Sequence, residues 1–246
     1  MPRRLEYSFY LLSLKEWNLD SFINKLIFTP LKKLGQSLRF LNTRNILLLF
    51  IPIYALGVFL IFNHSIIPEL IKHYLAEVFA AIALLFVLKA FGERNQPKLA
   101  WLLIFLNQLW ITLAVYHNEN FDFIHCLIFF SGIFPAFILG YIVLYLLSKR
   151  EPQNFSLNMY YGHSYEYGTL SLLLLLSCLG LMGFPITMSF IGEDLILSHI
   201  HDADFLLSIL VSLSFIMVGI ALMRMYARLF LGPHIKTYHA TPFKNS

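Results

Sequence analysis

Two adjacent carboxylates, Glu193 and Asp194, follow a helix-breaking sequence in an apolar stretch of this 246-residue chain. The break consists of Gly180, Gly183 and Pro185, and we predict a kinked or unwound backbone there because glycine weakens a helix and proline lacks the amide hydrogen. Neighbouring carboxylates in apolar surroundings repel each other, so at least one is expected to stay protonated unless a cation lies near. Such a group is suited to binding and releasing protons. Alternatively, both residues cap a new half-helix at the outer surface.

Further ionisable side chains lie within apolar stretches, where each is a functional candidate because charge at membrane depth is costly. Glu77 and Lys89 share one predicted helix but stand about 18 Å apart along it, so they cannot pair directly. They are candidate stations on a proton route, unless Glu77 is interfacial and Lys89 reaches the membrane surface beside Glu93. His125 is either a proton relay or an interfacial histidine. Arg224 is a candidate counter-charge for a carboxylate.

Two amide side chains, Asn107 and Gln108, fall in the middle of a predicted span. An amide at membrane depth needs a partner on another helix. We therefore expect these residues to form interhelical hydrogen bonds, with support of a water chain as the alternative.

Composition places the chain among polytopic membrane proteins of the all-α class. Hydrophobic residues make up 58% of the sequence and charged residues only 13%, and there are 24 phenylalanines. The net charge of +4 does not indicate nucleic acid binding, because the basic residues fall in short loops between apolar spans. Cys126 and Cys178 lie in apolar runs and have no metal-binding spacing, so no metal is expected. The bilayer is the expected environment.

The chain divides into a membrane-surface segment, a helix bundle and a short tail. Residues 1–44 include an amphipathic pattern that is predicted to break at Pro30, residues 45–232 form the bundle, and residues 233–246 form the tail. About six spans are long enough to cross a bilayer. They run from 45 to 64, 72 to 91, 98 to 117, 123 to 147, 168 to 198 and 204 to 230. The fifth exceeds one crossing, so it is predicted to be a broken helix or to contain a re-entrant turn.

Basic residues alternate from loop to loop in a way that predicts orientation. Loops near 63–73, 117–122 and 199–204 contain one lysine, Lys72, and no arginine. Because lysine and arginine are retained on the cytoplasmic side, both termini are predicted to be cytoplasmic, in an integral protein of the cell membrane.

The break also carries a resemblance to a known family. The sequence from Gly180 to Leu197, Gly-Leu-Met-Gly-Phe-Pro-Ile-Thr-Met-Ser-Phe-Ile-Gly-Glu-Asp-Leu-Ile-Leu, resembles a signature of the proton-conducting membrane subunits of complex I, Mrp-type cation/proton antiporters and membrane-bound hydrogenases. The span that follows this signature in the family is similar to residues 223–233 here, Met-Arg-Met-Tyr-Ala-Arg-Leu-Phe-Leu-Gly-Pro. Another family helix is similar to the sequence that begins with Lys98-Leu-Ala-Trp, and Gln108 takes the position of the glutamine in that helix. Glu193 stands where the family often has lysine. Residues 16–26 also resemble the tail of NADH-quinone oxidoreductase chain 5.

The resemblance implies a proton-translocating subunit of a larger redox- or ion-coupled complex. This chain would then be the carboxy-terminal part of such a subunit or one polypeptide of a split subunit. Partners are then other membrane subunits, the lipid bilayer and protons, with a cation as a further possibility. The chain has no phosphate-binding loop, dinucleotide fingerprint or cluster-binding cysteines, so no cofactor and no catalysis by this chain alone are expected. Two alternatives remain open: a non-transporting membrane scaffold, and a secondary transporter for a cation or inorganic carbon.

Overall fold

The part of the protein that the structure describes is mainly helical. The computed structural model describes residues 13, 19–38, 40–63, 69–118, 123–200 and 204–233, and these contain no β-strand. The helices are α1 Leu19–Ile23, α2 Thr29–Ser37, α3 Thr43–Asn45, α4 Ile51–Phe62, α5 Glu69–Gly92, α6 Pro97–Asn118, α7 Phe123–Arg150, α8 Gly168–Leu181, α9 Met188–Ser198 and α10 Phe205–Phe230. The predicted all-α class is confirmed.

Within the described residues, four helices are long and apolar enough to cross a membrane, which supports the prediction of a membrane protein. They are Tyr74–Gly92, Pro97–His117, Phe123–Arg150 and Phe205–Phe230. They match the second, third, fourth and sixth predicted spans. The first and fifth predicted spans contain shorter apolar helices, Leu48–Phe62 and Gly168–Leu181. Residues 1–12, 14–18 and 234–246, in the predicted surface segment and tail, lie outside the described residues.

The core lies where α5 and α6 pack against each other and against α4. Trp110 of α6 is almost fully buried, with Tyr54, Phe79 and Phe86 rings at centroid distances of 5.6, 5.4 and 6.1 Å. Edge-to-face contacts of this kind add about 0.5–1.5 kcal/mol each to the burial of the rings. This aromatic cluster fixes α6, the helix that carries both buried amides.

Helices α8 and α9 lie along successive parts of α7 and run antiparallel to it. Glycines permit the close approach: a Cβ on Gly180 would lie 2.7 Å from the Ala136 Cβ, and one on Gly132 would lie 2.3 Å from the Ser189 amide nitrogen. Further along, a Cβ on Gly192 would lie 2.4 Å from Cα of Phe129. Helix α7 therefore positions both helices on either side of the predicted break.

The amphipathic segment stays helical through Pro30, where the sequence predicted a break. A π-helical turn, Asn24–Phe28, precedes the proline, and the Thr29 amide donates to the Asn24 carbonyl oxygen five residues back. A second π-helical turn, Ile46–Phe50, precedes Pro52 in the same way. In an α-helix the proline ring clashes with the carbonyl group four residues earlier. The wider π-helical turn shifts that carbonyl group away from the ring, so the helix continues.

This segment docks on α5 through two glycines. A Cβ on Gly35 would lie 2.1 Å from the Leu88 carbonyl oxygen and 3.0 Å from the Gly92 Cα. Because the obstacle is backbone, Gly35→Ala is expected to lower the free energy of unfolding by about 1–3 kcal/mol. Denaturation in detergent micelles measures this value.

Gly219→Ala in α10 is the matched control, since a Cβ there meets nothing within 4 Å. It is expected to be neutral or stabilising by up to about 1 kcal/mol, because alanine favours a helix interior. Equal effects of the two substitutions would contradict the docking contact.

Candidate functional site

The backbone between α8 and α9 is non-helical from residue 182 to residue 187. Gly183 adopts a φ of 65°, in the left-handed region that favours glycine. The Phe184 amide donates to the Leu179 carbonyl oxygen at 3.0 Å, and the Thr187 amide donates to the Phe184 carbonyl oxygen at 2.8 Å. The chain thus turns through a hydrogen-bonded loop that includes Pro185.

Two buried side chains satisfy carbonyl groups at the end of α8. Gln108 Nε2 donates to the Leu181 carbonyl oxygen at 3.0 Å, and Ser189 Oγ donates to the Gly180 carbonyl oxygen at 2.5 Å. Both donating side chains are fully buried. Gln108 therefore forms an interhelical hydrogen bond, as the sequence predicted, and this bond joins α6 to the end of α8.

Glu193 lies directly over the loop, whereas Asp194 faces outward. A Cβ on Gly183 would lie 1.7 Å from Glu193 Oε2, so the carboxyl group occupies the space that only glycine leaves open. Glu193 is half-buried, and no hydrogen bond or ion pair joins it to another described residue. Asp194 is exposed. The two carboxylates that adjoin in sequence therefore have different surroundings.

Three buried side-chain oxygen atoms have no hydrogen-bond partner among the residues that the structure describes. They are Asn107 Oδ1, Gln108 Oε1 and Ser214 Oγ. The amide nitrogens are engaged, since Asn107 Nδ2 donates to the Ala83 carbonyl oxygen at 2.8 Å. An unpaired buried acceptor costs about 1–3 kcal/mol, so these oxygens favour a donor such as water or a protonated carboxyl group.

The structure brings His125 and His199 together, although they are far apart in sequence. Nδ1 of His125 lies 2.9 Å from Nε2 of His199, so one ring donates a hydrogen bond to the other. His125 begins α7 and His199 directly follows α9. About 9 Å of helix rise separates His199 from Glu193 along the chain. The pair lies at the end of α9 away from the loop.

Lys89 forms an ion pair with Glu93, as the interfacial alternative predicts. Nζ of Lys89 lies 2.8 Å from Glu93 Oε2, and the Arg94 and Asn95 amides each donate to Glu93 Oε1 at 3.1 Å. Burial raises the pKa of Glu93, but these hydrogen bonds and the Lys89 charge outweigh it and leave the pKa below its ordinary value. Glu77 is half-buried, twelve residues before Lys89 on the same helix.

Arg224 contacts an aromatic ring and a carbonyl group. Its guanidinium group lies 4.6 Å from the Phe91 ring centroid, and its Nη1 donates to the Phe91 carbonyl oxygen. No ion pair joins Arg224 to a carboxylate among the described residues. Its charged neighbours are Arg94 and Arg228.

The hydrogen bond from Ser189 to the Gly180 carbonyl oxygen was not predicted from the sequence. The signal for it was local: Ser189 and Thr187 flank the start of α9, where hydroxyl groups commonly accept or donate backbone hydrogen bonds. The described residues hold no group of three or more histidine, cysteine, aspartate or glutamate side chains able to bind a metal.

The comparisons with known proteins are negative. No protein-family model, curated protein or solved structure matches the chain. The resemblance to proton-conducting subunits therefore rests on its motif residues alone.

Proposed function

We propose that this chain is a proton-translocating membrane subunit, or part of one, with Glu193 as its central protonatable group. The supporting observation is the placement of the Glu193 carboxyl group against Gly183, half-buried and without an ionic partner among the described residues. A carboxylate in such a place is costly in its charged form, so the group holds a proton until water or another proton acceptor reaches it. It can then exchange that proton.

The surrounding polar groups supply partners for such an exchange. Gln108 Oε1 is an unpaired buried acceptor on the side chain whose nitrogen bonds the last residue of α8. A protonated carboxyl group or a water molecule can donate to it. At the far end of α9, His125 and His199 form a hydrogen-bonded pair that can pass a proton to the surface.

In the proposed membrane arrangement, α8, the loop and α9 form one interrupted crossing. Their antiparallel packing along the whole of α7 supports this, because the glycine contacts extend from Ala136 to Phe129 across the loop. With α4 as a further crossing, the bundle has six, preceded by the amphipathic surface segment. The loop charges then favour a cell membrane location with both termini cytoplasmic.

The other predicted stations have subsidiary roles in this proposal. Lys89 is held by Glu93 at one end of α5, and Glu77 lies in the other half of that helix. Asp194 is exposed and serves as a surface group. Partner membrane subunits supply the driving energy, as the motif resemblance implies.

Proton flux in vesicles tests the proposal. The vesicles hold the purified chain with its copurifying subunits, and a pH-sensitive dye reports flux. Glu193→Gln is expected to lower coupled flux at least about tenfold, since it removes the exchangeable proton but keeps the shape. Asp194→Asn is the matched control because it alters the adjacent exposed carboxylate, and it is expected to keep flux within about twofold.

The alternatives predict different results. A scaffold leaves coupled flux unchanged in both variants, and a secondary transporter makes flux depend on an added cation or on bicarbonate. Unchanged coupled flux in Glu193→Gln would set aside Glu193 as a proton carrier, whereas dependence of the flux on the added solute would assign the chain to solute-coupled transport.

A further inference from the structure

A basic cavity of about 500 Å³ lies between the amphipathic segment and the adjoining ends of α5 and α10. Four cationic side chains line it: Lys32, Arg94, Arg224 and Arg228. Among the described lining residues there is no carboxylate. Cavities of this size hold small-molecule ligands in other proteins. The excess of positive charge indicates that the ligand is an anion.

The guanidinium groups are held by neutral acceptors, so no carboxylate among the described residues balances their charges. Each is fixed by one backbone carbonyl oxygen: Arg94 by Leu157 at 3.3 Å, Arg224 by Phe91, and Arg228 by Asn158 at 3.1 Å. The neighbouring carboxylate, Glu93, is already engaged by Lys89 at 2.8 Å.

Each of the three arginines retains a buried nitrogen that has no hydrogen-bond partner in the described part of the chain. These atoms are Arg94 Nε, Arg224 Nη2 and Arg228 Nε. Burial, and then the charge of Arg228, lower the pKa of Arg94 from its ordinary value. An anion in the cavity would offset the repulsion between the arginines.

Aromatic rings hold the arginines in place before any ligand binds. The Arg224 guanidinium lies 4.6 Å from the Phe91 ring centroid, and the Arg228 guanidinium lies 4.2 Å from that of Tyr160. Stacked arginine is preorganised for bidentate contact with phosphate oxygens. Phe28 and Met223 give the same cavity apolar walls.

We propose that this cavity binds the phosphate headgroup of an anionic phospholipid. The arginines would contact the phosphate oxygens, and the apolar walls would contact the first part of an acyl chain. The cavity lies at the adjoining ends of α5 and α10, two helices that are long and apolar enough to cross a membrane, and basic pockets between membrane-spanning helices bind anionic headgroups. The inference is independent of proton transport.

Lipid retention measured by native mass spectrometry tests the site. The chain, with its copurifying subunits, is equilibrated in micelles containing phosphatidylglycerol or phosphatidylcholine. The native protein is expected to retain phosphatidylglycerol at least about tenfold better, and Arg228→Gln is expected to remove most of that preference, because a charge-assisted hydrogen-bond pair is lost.

Lys32→Gln and Lys33→Gln form the matched pair, and they remain informative if Arg228→Gln does not fold. Both residues lie on α2, but Lys32 lines the cavity whereas Lys33 is exposed. Lys32→Gln is expected to lower the retention of phosphatidylglycerol at least about threefold. Lys33→Gln is expected to keep that retention within about twofold of the native protein. Equal retention of the two lipids, equal effects of the two lysine substitutions, or tight binding of inorganic phosphate without lipid preference would overturn the lipid assignment.

Discussion

Gly183→Ala is expected to lower proton flux at least about tenfold, as much as Glu193→Gln does, although it leaves every titratable group intact. The added Cβ would lie 1.7 Å from Glu193 Oε2. The obstacle is the end of a flexible side chain, so the carboxyl group moves away and vacates the loop. If Glu193 carries protons from this position, its displacement has the same effect as its neutralisation.

The backbone at Gly183 adds a separate cost in stability. Its φ of 65° is strained for a residue with a side chain. Alanine there is expected to lower the free energy of unfolding by about 1–3 kcal/mol, measured by denaturation in micelles. Flux must therefore be normalised to folded protein. Gly219→Ala, where a Cβ meets nothing within 4 Å, is the control for glycine replacement as such.

A double-mutant cycle separates the two effects of Gly183→Ala. If both substitutions act through the same carboxyl group, the double variant Gly183→Ala with Glu193→Gln has the flux of either single variant. Losses that multiply would show that Gly183 acts independently of Glu193. Native flux in Gly183→Ala would contradict the placement of the carboxyl group in the proton route.

Trp101→Ala is expected to have the largest effect on stability, lowering the free energy of unfolding by about 3–5 kcal/mol. The indole is fully buried, and its Nε1 donates to the Phe137 carbonyl oxygen at 3.0 Å. The ring also fills the space left by Gly140, where a Cβ would lie 2.0 Å from it. Its loss opens a cavity between α6 and α7. Titration with denaturing detergent in mixed micelles measures the change.

Tyr141→Ala, on α7 next to Gly140, provides the matched control. Tyr141 is 43% exposed, so removing its ring creates no internal cavity. It is expected to change stability by less than about 1 kcal/mol. A comparable loss in both variants would mean that ring removal in general, rather than the fit between Trp101 and Gly140, determines stability.

Much of the architecture was predictable because it depends on local sequence. Continuous apolar runs identified the four long helices, since a helix in lipid must satisfy its own backbone groups. Gly183 and Pro185 fall in the non-helical residues 182–187, and the prediction that α8 and α9 form one broken crossing stays a prediction. The mid-span position of Gln108 was sufficient to predict an interhelical hydrogen bond. Local rules failed at Pro30, where the π-helical turn keeps the segment helical.

Side-chain partners across helices could not be read from sequence spacing. Glu193 and Asp194 are neighbours along the chain, but α9 turns one toward Gly183 and leaves the other exposed. Arg224 was predicted to balance a carboxylate, and the packing of α10 on α5 places it in the basic cavity instead.

The sequence by itself determined that this is an all-α protein with helices able to cross a membrane. Only the tertiary structure decided which carboxyl group occupies the break, that His125 meets His199, and that three arginines share a cavity. The physical reason is that hydropathy and helix-breaking residues determine the structure of the single segment in which they occur. The rotation and register of packed helices depend instead on contacts such as those of Gly132 and Gly192 with α9 and α7.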